Sequence, residues 1–305
     1  MKILVICDSF FPKRNAPSNR FLSFISYWSK DNKIYLITKD TKKKDLDKIK
    51  HLINIDNIKL FSSSFFFTKE RIIFKFLNLL IFFIFSLGSI IKLKKYKIDS
   101  IISTSPPLTT FIIGYFAKLM FNCKLILETR DIWSDSLKDL GIIKNYFLIY
   151  LIKKYENFFY KRATCLVSVS NNIKNKLNFI KDHHVITNFT PIDFIRYNYS
   201  KNIIENKHFD KSNINILYLG TLGLSHKFDN FINTLSNFDC FNLNIVGDGL
   251  SKNKIVNKIE NGIYKNTILN NYTTNFNEIF NYYLKADFCL IILKNIENKS
   301  IKKQK

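Results

Sequence analysis

The chain has 305 residues, 47% of them hydrophobic, and a formal net charge of +23, which suits two ordinary α/β-sized domains with full cores. Its lysines are spread through Asn-, Ile- and Phe-rich sequence, with no basic helical face and no zinc-knuckle pattern, so nucleic acid is excluded as the expected partner. A positive surface still suits an anionic membrane and anionic substrates such as sugar nucleotides or lipid phosphates.

In chain order, Ile3 to Cys7 reads as a buried strand. It meets Asp8 too early to be the apolar core of a signal peptide, so the protein is expected to stay in the cytoplasm. The loop from Asp8 to Arg20 is polar and punctuated by proline, and opens a helix expected at Phe21 with Ser18 or Asn19 as its cap. Backbone N–H groups at a helix start favour anions, so Asn15 and Arg20 are candidate acceptor or phosphate contacts. Strands are expected at Ile34 to Thr38 and Ile58 to Phe61. From Ile72 to Ile91 the only charge is Lys75, close to the length that crosses a bilayer. A spanning helix would put the flanking strands on opposite sides of the membrane. A helix dipping into the membrane interface is therefore preferred, a plain core helix is the next alternative, and a spanning helix comes third.

The segment Asp99 to Gly141 is the most informative. Two short buried strands, Ile98 to Ser103 and Leu125 to Glu128, run into polar or proline residues with a crossover-length helix between them, which is the βαβ unit of a parallel sheet. Residues past the carboxyl ends of such strands line the ligand crevice, which groups Ser105, Pro106, Pro107, Arg130, Asp131 and Trp133. Three charges, Glu128, Arg130 and Asp131, follow one buried strand, so they either form an internal ion pair or face a solvated cleft. Glu156 sits on an amphipathic helix and reads as structural support. Strands at Cys165 to Val169 and His184 to Thr187 end in Ser170-Asn-Asn and Asn188-Phe-Thr-Pro-Ile-Asp193, which is turn or cap chemistry.

Arg196 to Lys211 lacks apolar periodicity and reads as a linker. The domains expected are 1–194, a linker at 195–211, and 212–305. The second series of strands is Ile214 to Leu219, Leu243 to Val246, Thr267 to Leu269 and Phe288 to Leu293. The first two end in glycines, Gly220 and Gly223 around Thr221, and Gly247 and Gly249. Glycine lets backbone approach a ligand closely, so these loops are candidates for a nucleotide diphosphate. Walker, HExxH and Gly-x-Ser-x-Gly patterns are absent from the sequence, as is glycine from the first βα turn, which disfavours hydride-transfer enzymes. The five cysteines lie singly in apolar runs and read as buried hydrophobes; no metal site is expected, and His183 and His184 fall away from the expected crevice.

Taken in order, Phe10-Phe-Pro with Asn15 to Arg20, Thr104-Ser-Pro-Pro, Arg130-Asp-Ile-Trp with Leu140-Gly141, Tyr155-Glu to Arg162-Ala163, Val169-Ser170, Val185-Ile-Thr-Asn188, Tyr218-Leu-Gly220 with Gly223 and Asp229, Gly247-Asp-Gly249, and Ala286-Asp287 resemble a family-4 retaining glycosyltransferase of the GT-B fold, in the bacterial surface-polysaccharide branch. The resemblance implies two Rossmann-like domains, the acceptor bound by the first and the nucleotide sugar by the second, and no metal or other cofactor. It implies a UDP-sugar donor and a polyprenyl-diphosphate-linked saccharide acceptor at the inner face of the cell membrane, in lipopolysaccharide or capsule assembly, with the protein peripheral on that membrane. The family's basic residue that holds the diphosphate, after the Gly220 strand, falls at His226, beside Lys227, so the resemblance implies Lys227 as the counter-charge to the donor diphosphate. The family's Glu-x7-Glu segment after Ala286-Asp287 has no counterpart before Lys305, so the second domain is expected to be incomplete. Two other functions stay open: an inactive remnant that binds membrane or a partner, and a sugar-nucleotide epimerase of the same architecture.

Overall fold

The computed structural model describes residues 1–13, 15–64, 72–139, 141–188, 213–223, 228–273 and 275–292. The chain divides into two compact units, Met1–Ile192 and Asp193–Lys305. The expected linker at 195–211 and Lys227 lie outside the described residues.

The first unit is built on seven parallel strands, β1 (Lys2–Ile6), β2 (Lys33–Lys39), β3 (Ile58–Ser63), β4 (Ser100–Ser105), β5 (Lys124–Thr129), β6 (Cys165–Ser168) and β7 (His183–Val185), in the order β3-β2-β1-β4-β5-β6-β7. The β-branched runs give strands buried on both faces, as a parallel sheet requires. Alternation sorts their side chains. Leu4, Ile6, Tyr35, Ile37, Ile101, Leu125 and Leu127 go to one core, and Ile3, Val5, Ile34, Leu36 and Ile102 to the other.

The first core is closed by α3 (Ile72–Leu93), α4 (Thr109–Phe121) and α6 (Tyr146–Tyr160), and the second by α1 (Ala16–Trp28) and α2 (Lys43–Asp47). Two short helices, α5 (Trp133–Asp139) and α7 (Asn171–Lys176), complete the unit. The stretch Phe76–Leu93 of α3 is long and apolar enough to cross a membrane. Its flanking strands β3 and β4 nevertheless belong to one sheet, and Phe82, Ser86, Ile90 and Leu93 pack into the core. Ile73, Phe76, Leu80, Ile84 and Ile91 remain exposed on the same helix.

The second unit repeats the order on a smaller scale, with β8 (Ile214–Leu219), β9 (Phe241–Val246), β10 (Thr267–Asn270) and β11 (Phe288–Cys289) arranged β10-β9-β8-β11, all parallel. Helices α8 (Phe228–Leu235), α9 (Lys252–Glu260) and α10 (Phe276–Leu284) alternate with the strands. Of the strand expected over Phe288 to Leu293, whose last residue lies outside the described residues, Phe288–Cys289 pairs with β8 among the described residues, with one more bond from Leu290 N–H to Leu217 O at 2.7 Å. Among the described residues it is the edge strand of its sheet, with β8 as its neighbour. Of the five cysteines only Cys7 is buried; Cys240 and Cys289 are exposed, against the expectation from their apolar surroundings. Cys240 lies in the turn before β9 and Cys289 at the end of the edge strand β11, both outside the core of the second unit.

Candidate functional site

In the first unit β1 and β4 are neighbours, with β2 and β3 to one side and β5, β6 and β7 to the other. That is the point where the winding of the sheet reverses, and loops leaving the carboxyl ends diverge there to open a crevice. A cavity of about 640 Å³ occupies it, lined by Asp8 and Ser9 after β1, Asn15 and Pro17 at the start of α1, Pro106 and Pro107 after β4, Arg130 and Asp131 after β5, Val169 after β6 and Asn188 after β7.

Asn15 is the cap of α1. Its side-chain oxygen accepts the Ser18 N–H at 3.0 Å, and its side chain also bonds the Ser9 hydroxyl. The helix therefore begins at Ala16, five residues earlier than the Phe21 start expected, and neither Ser18 nor Asn19 is the cap. Pro17 explains the shift, since its fixed φ and missing N–H fit the first helical turn. Asn19 N–H donates to Asn15 O at 3.0 Å, which leaves the N–H of Ala16, itself on the cavity lining, as the remaining donor of that turn.

Arg20 is not a ligand contact. It is 1% exposed and pairs through Nε with Glu128, itself 2% exposed. Its Nη1 donates to Thr187 O at 2.7 Å and Asn188 Oδ1 at 3.2 Å, its Nη2 donates to Ile186 O at 2.6 Å, and the guanidinium lies over the Phe24 ring at 4.8 Å. One turn into α1, the side chain points under the sheet ends instead of into the cavity. A buried charge needs its donors satisfied, and here one planar fork ties α1, β5 and the segment after β7 together. Asn188, on the wall of the cavity, is held by this clasp. Glu128 in turn answers the sequence ambiguity: the internal partner of the three-charge cluster is Arg20.

Arg130 is left for the cavity. Its backbone N–H and Nε donate to Ser105 O at 3.1 and 3.3 Å, and Nη2 donates to Pro106 O at 2.6 Å. These bonds fix the guanidinium plane, while Nη1 makes no hydrogen bond among the described residues. Asp131 beside it is exposed as a residue, yet partial screening of its carboxyl from water raises its pKa above the ordinary carboxylate value, with the Arg130 charge opposing the shift. Asp8 is paired with Lys39 at 3.2 Å.

Two expected members stand elsewhere. Ser105 is fully buried as the last residue of β4, which runs two residues further than the sequence reading, so only its carbonyl serves the site. Trp133 packs against the core. Its backbone N–H, with that of Ser134, donates to the buried Glu156 carboxylate at 2.8 and 3.0 Å. Glu156 thus caps α5 and anchors the chain just after Asp131, the structural role its position suggested.

In the second unit Gly220, Thr221 and Gly223 follow β8, and Gly247 and Gly249 follow β9. The two loops pack on each other: Leu222 N–H donates to Asp248 O at 2.9 Å, and Ser251 N–H to Leu222 O at 2.9 Å. A Cβ at Gly247 would lie 2.1 Å from Gly220 O, and one at Gly249, whose φ is +149°, would lie 2.5 Å from Leu222 O. These two glycines answer the approach of one loop to the other, where the sequence reading had backbone approaching a diphosphate. Thr221 is exposed, and its carbonyl accepts the Tyr218 hydroxyl at 2.8 Å.

No family model matches the chain, and no curated protein matches it in sequence. Solved structures do match in fold. Sucrose-phosphate synthase from Thermosynechococcus elongatus aligns with a TM-score of 0.66 at 12% identity, over 94% of this chain and 74% of that one. Anabaena HepE, solved with UDP and glucose, gives 0.59 at 14% identity over 95% and 73%. The UDP-GlcNAc 2-epimerase of Neisseria meningitidis, solved with UDP-GlcNAc, gives 0.54 at 12% over 95% and 76%. The chain has the GT-B fold. Its 305 residues span about three quarters of those chains, and the second Rossmann-like unit of the GT-B pair is incomplete within them.

Proposed function

We propose that the chain is a nucleotide-sugar-dependent glycosyltransferase that moves a sugar, with retention at the anomeric carbon, from a UDP-sugar to a polyprenyl-diphosphate-linked saccharide in surface-polysaccharide assembly. The observation that carries this is the first unit's switch-point cavity: a rigidly held Arg130 with its Nη1 unbonded among the described residues, an adjacent Asp131 and the Ala16 end of α1 meet there. This combination suits a hydroxyl-rich or phosphorylated acceptor, because the helix start and guanidinium attract anions while the carboxylate accepts sugar hydroxyls. In this reading Asn15, Arg130 and Asp131 hold the acceptor, and Arg20 keeps Asn188 in place.

The donor belongs, in the same reading, to the second unit, at Thr221 and Gly223 on the loop after β8 with Gly220, Gly247 and Gly249 setting the loop shape. Lys227 would balance the diphosphate charge that develops as the glycosyl bond breaks, the moment at which electrostatic help lowers the barrier most. No metal or other cofactor takes part. The protein works in the cytoplasm, peripheral on the inner face of the cell membrane, with the exposed side of α3 against lipid.

The test is incubation of radiolabelled UDP-sugars with the folded protein and a membrane lipid extract. Labelled lipid supports the assignment, and absence of both transfer and donor hydrolysis rejects it. Arg130→Gln should lower kcat/KM for the acceptor by about 10- to 100-fold, the worth of a hydrogen bond to a charged group. Asp131→Asn should remove the acidic limb of the pH profile. That limb lies higher than an unperturbed aspartate would put it, because burial raises the Asp131 pKa, and activity falls as pH drops through it. The epimerase alternative predicts a new UDP-sugar by mass spectrometry without any acceptor. A remnant predicts neither product.

A further inference from the structure

Helix α6 turns Glu156, Phe159 and Tyr160 into the core and leaves Tyr146, Phe147, Leu148, Tyr150, Leu151 and Phe158 exposed, Tyr146 by 78% and Phe147 by 68%. With Lys153 and Lys154 these side chains fall within an arc of about 220° at 100° per residue, all but Leu148 within about 160° of it. The only carboxylate on the helix, Glu156, is buried against the start of α5, so the outward face carries positive charge alone. Lys154 stands over the Tyr150 ring at 5.0 Å and Arg162 over the Phe158 ring at 3.5 Å. The face is thus a mixed surface of rings and cations.

Helix α4 packs between α3 and α6 on one side of the sheet. That layer also exposes Phe76, Leu80 and Ile84 of α3, with Lys92, Lys94 and Lys95 exposed at the helix end. Two copies meeting through α6 would bring lysines against lysines, in a chain whose net charge is already +23. An anionic bilayer offers the complementary charge, an apolar depth for Phe and Leu, and a headgroup zone where Tyr rings and lysine stems both settle.

We infer that α6 is a second membrane-contact element, so that the outer surface of the α3–α4–α6 layer rests on anionic lipid with the α6 rings at headgroup depth. This rests on the peripheral-membrane reading above and adds a contact which that reading does not need. Two anchoring elements make a firmer attachment than one, since single anchors bind marginally.

The experiment is flotation of the full chain with phosphatidylcholine vesicles, with and without phosphatidylglycerol. It compares wild type with Phe147→Ser/Tyr150→Ser, with Lys153→Glu/Lys154→Glu, and with Phe76→Ser/Leu80→Ser. Wild type should float only with anionic vesicles. Both α6 variants should lose at least about tenfold in partition at low salt, with unchanged circular dichroism because the replaced side chains are exposed. If wild type floats and the α6 variants float equally well, the α6 inference falls while the α3 reading stands. If wild type does not float at all, both fall. A soluble dimer that the α6 substitutions dissociate would assign the face to a second copy and overturn the inference.

Discussion

The two units share four strands in the same relative order and one local device. In the first, Asp99 before β4 accepts the Lys2 N–H at 2.7 Å and donates its own N–H to Lys2 O at 2.9 Å. In the second, Asp287 before β11 does the same to Asn215, at 2.8 Å both ways. Each aspartate locks its strand in register beside the first strand of its sheet. At the opposite, carboxyl ends the units differ. The first uses charged side chains: a fully buried Arg20–Glu128 clasp below, and Arg130 and Asp131 above. The second uses backbone against backbone, with glycines where side chains would not fit. A charged clasp positions walls while leaving other side chains free to meet a ligand, whereas glycine packing gives a loop its shape without any side-chain chemistry.

The clasp should give the largest effect. Arg20→Met or Glu128→Leu alone strands a buried charge and should cost about 3–5 kcal/mol by urea unfolding. The double variant should recover most of that loss, and failure to recover would mean that the bonds to Ile186, Thr187 and Asn188 outweigh the ion pair. Next comes Gly247→Ala, which drives a methyl into Gly220 O and should cost about 1–3 kcal/mol, confined to the second unit. Both tryptophans, Trp28 and Trp133, lie in the first unit. Their fluorescence midpoint should therefore stay put while a circular dichroism transition shifts, and a common shift would show the units to be one cooperative body.

A smaller loss, about 1 kcal/mol, is expected for Glu156→Gln, which weakens the cap of α5. Tryptophan fluorescence should report it through Trp133. The smallest is a pH effect. His183 is buried against Ser168, its Nε2 2.9 Å from the hydroxyl, and burial lowers its pKa. The unfolded chain then binds the proton more readily, so His183 contributes to stability above about pH 6.5 and that contribution is lost as pH falls below it. His183→Gln should flatten that slope in unfolding measured between pH 5 and pH 7, a window set by the ordinary histidine value.

The strand series, the parallel winding, the division into two α/β units and the crevice at the ends of β1, β4 and β5 were all legible in the sequence, because hydrophobic runs and the residues that interrupt them act locally. Arg130 and Asp131 were legible for the same reason, since a charge directly after a buried strand has few places to go. Which charge takes which partner was not. Arg20 and Glu128 are 108 residues apart, and only the folded sheet brings α1 under the end of β5, leaving Arg130 for the cavity. Gly247 and Gly249 signalled a close approach, but what approaches is the other loop of the same unit, a partner that sequence spacing does not name. The exposed rings of α6 likewise depended on how far the core reaches around the helix. Local patterning determined the elements and where they end, while pairings between distant residues, and therefore the roles of individual charges, were decided only when tertiary packing set which groups lost their water together.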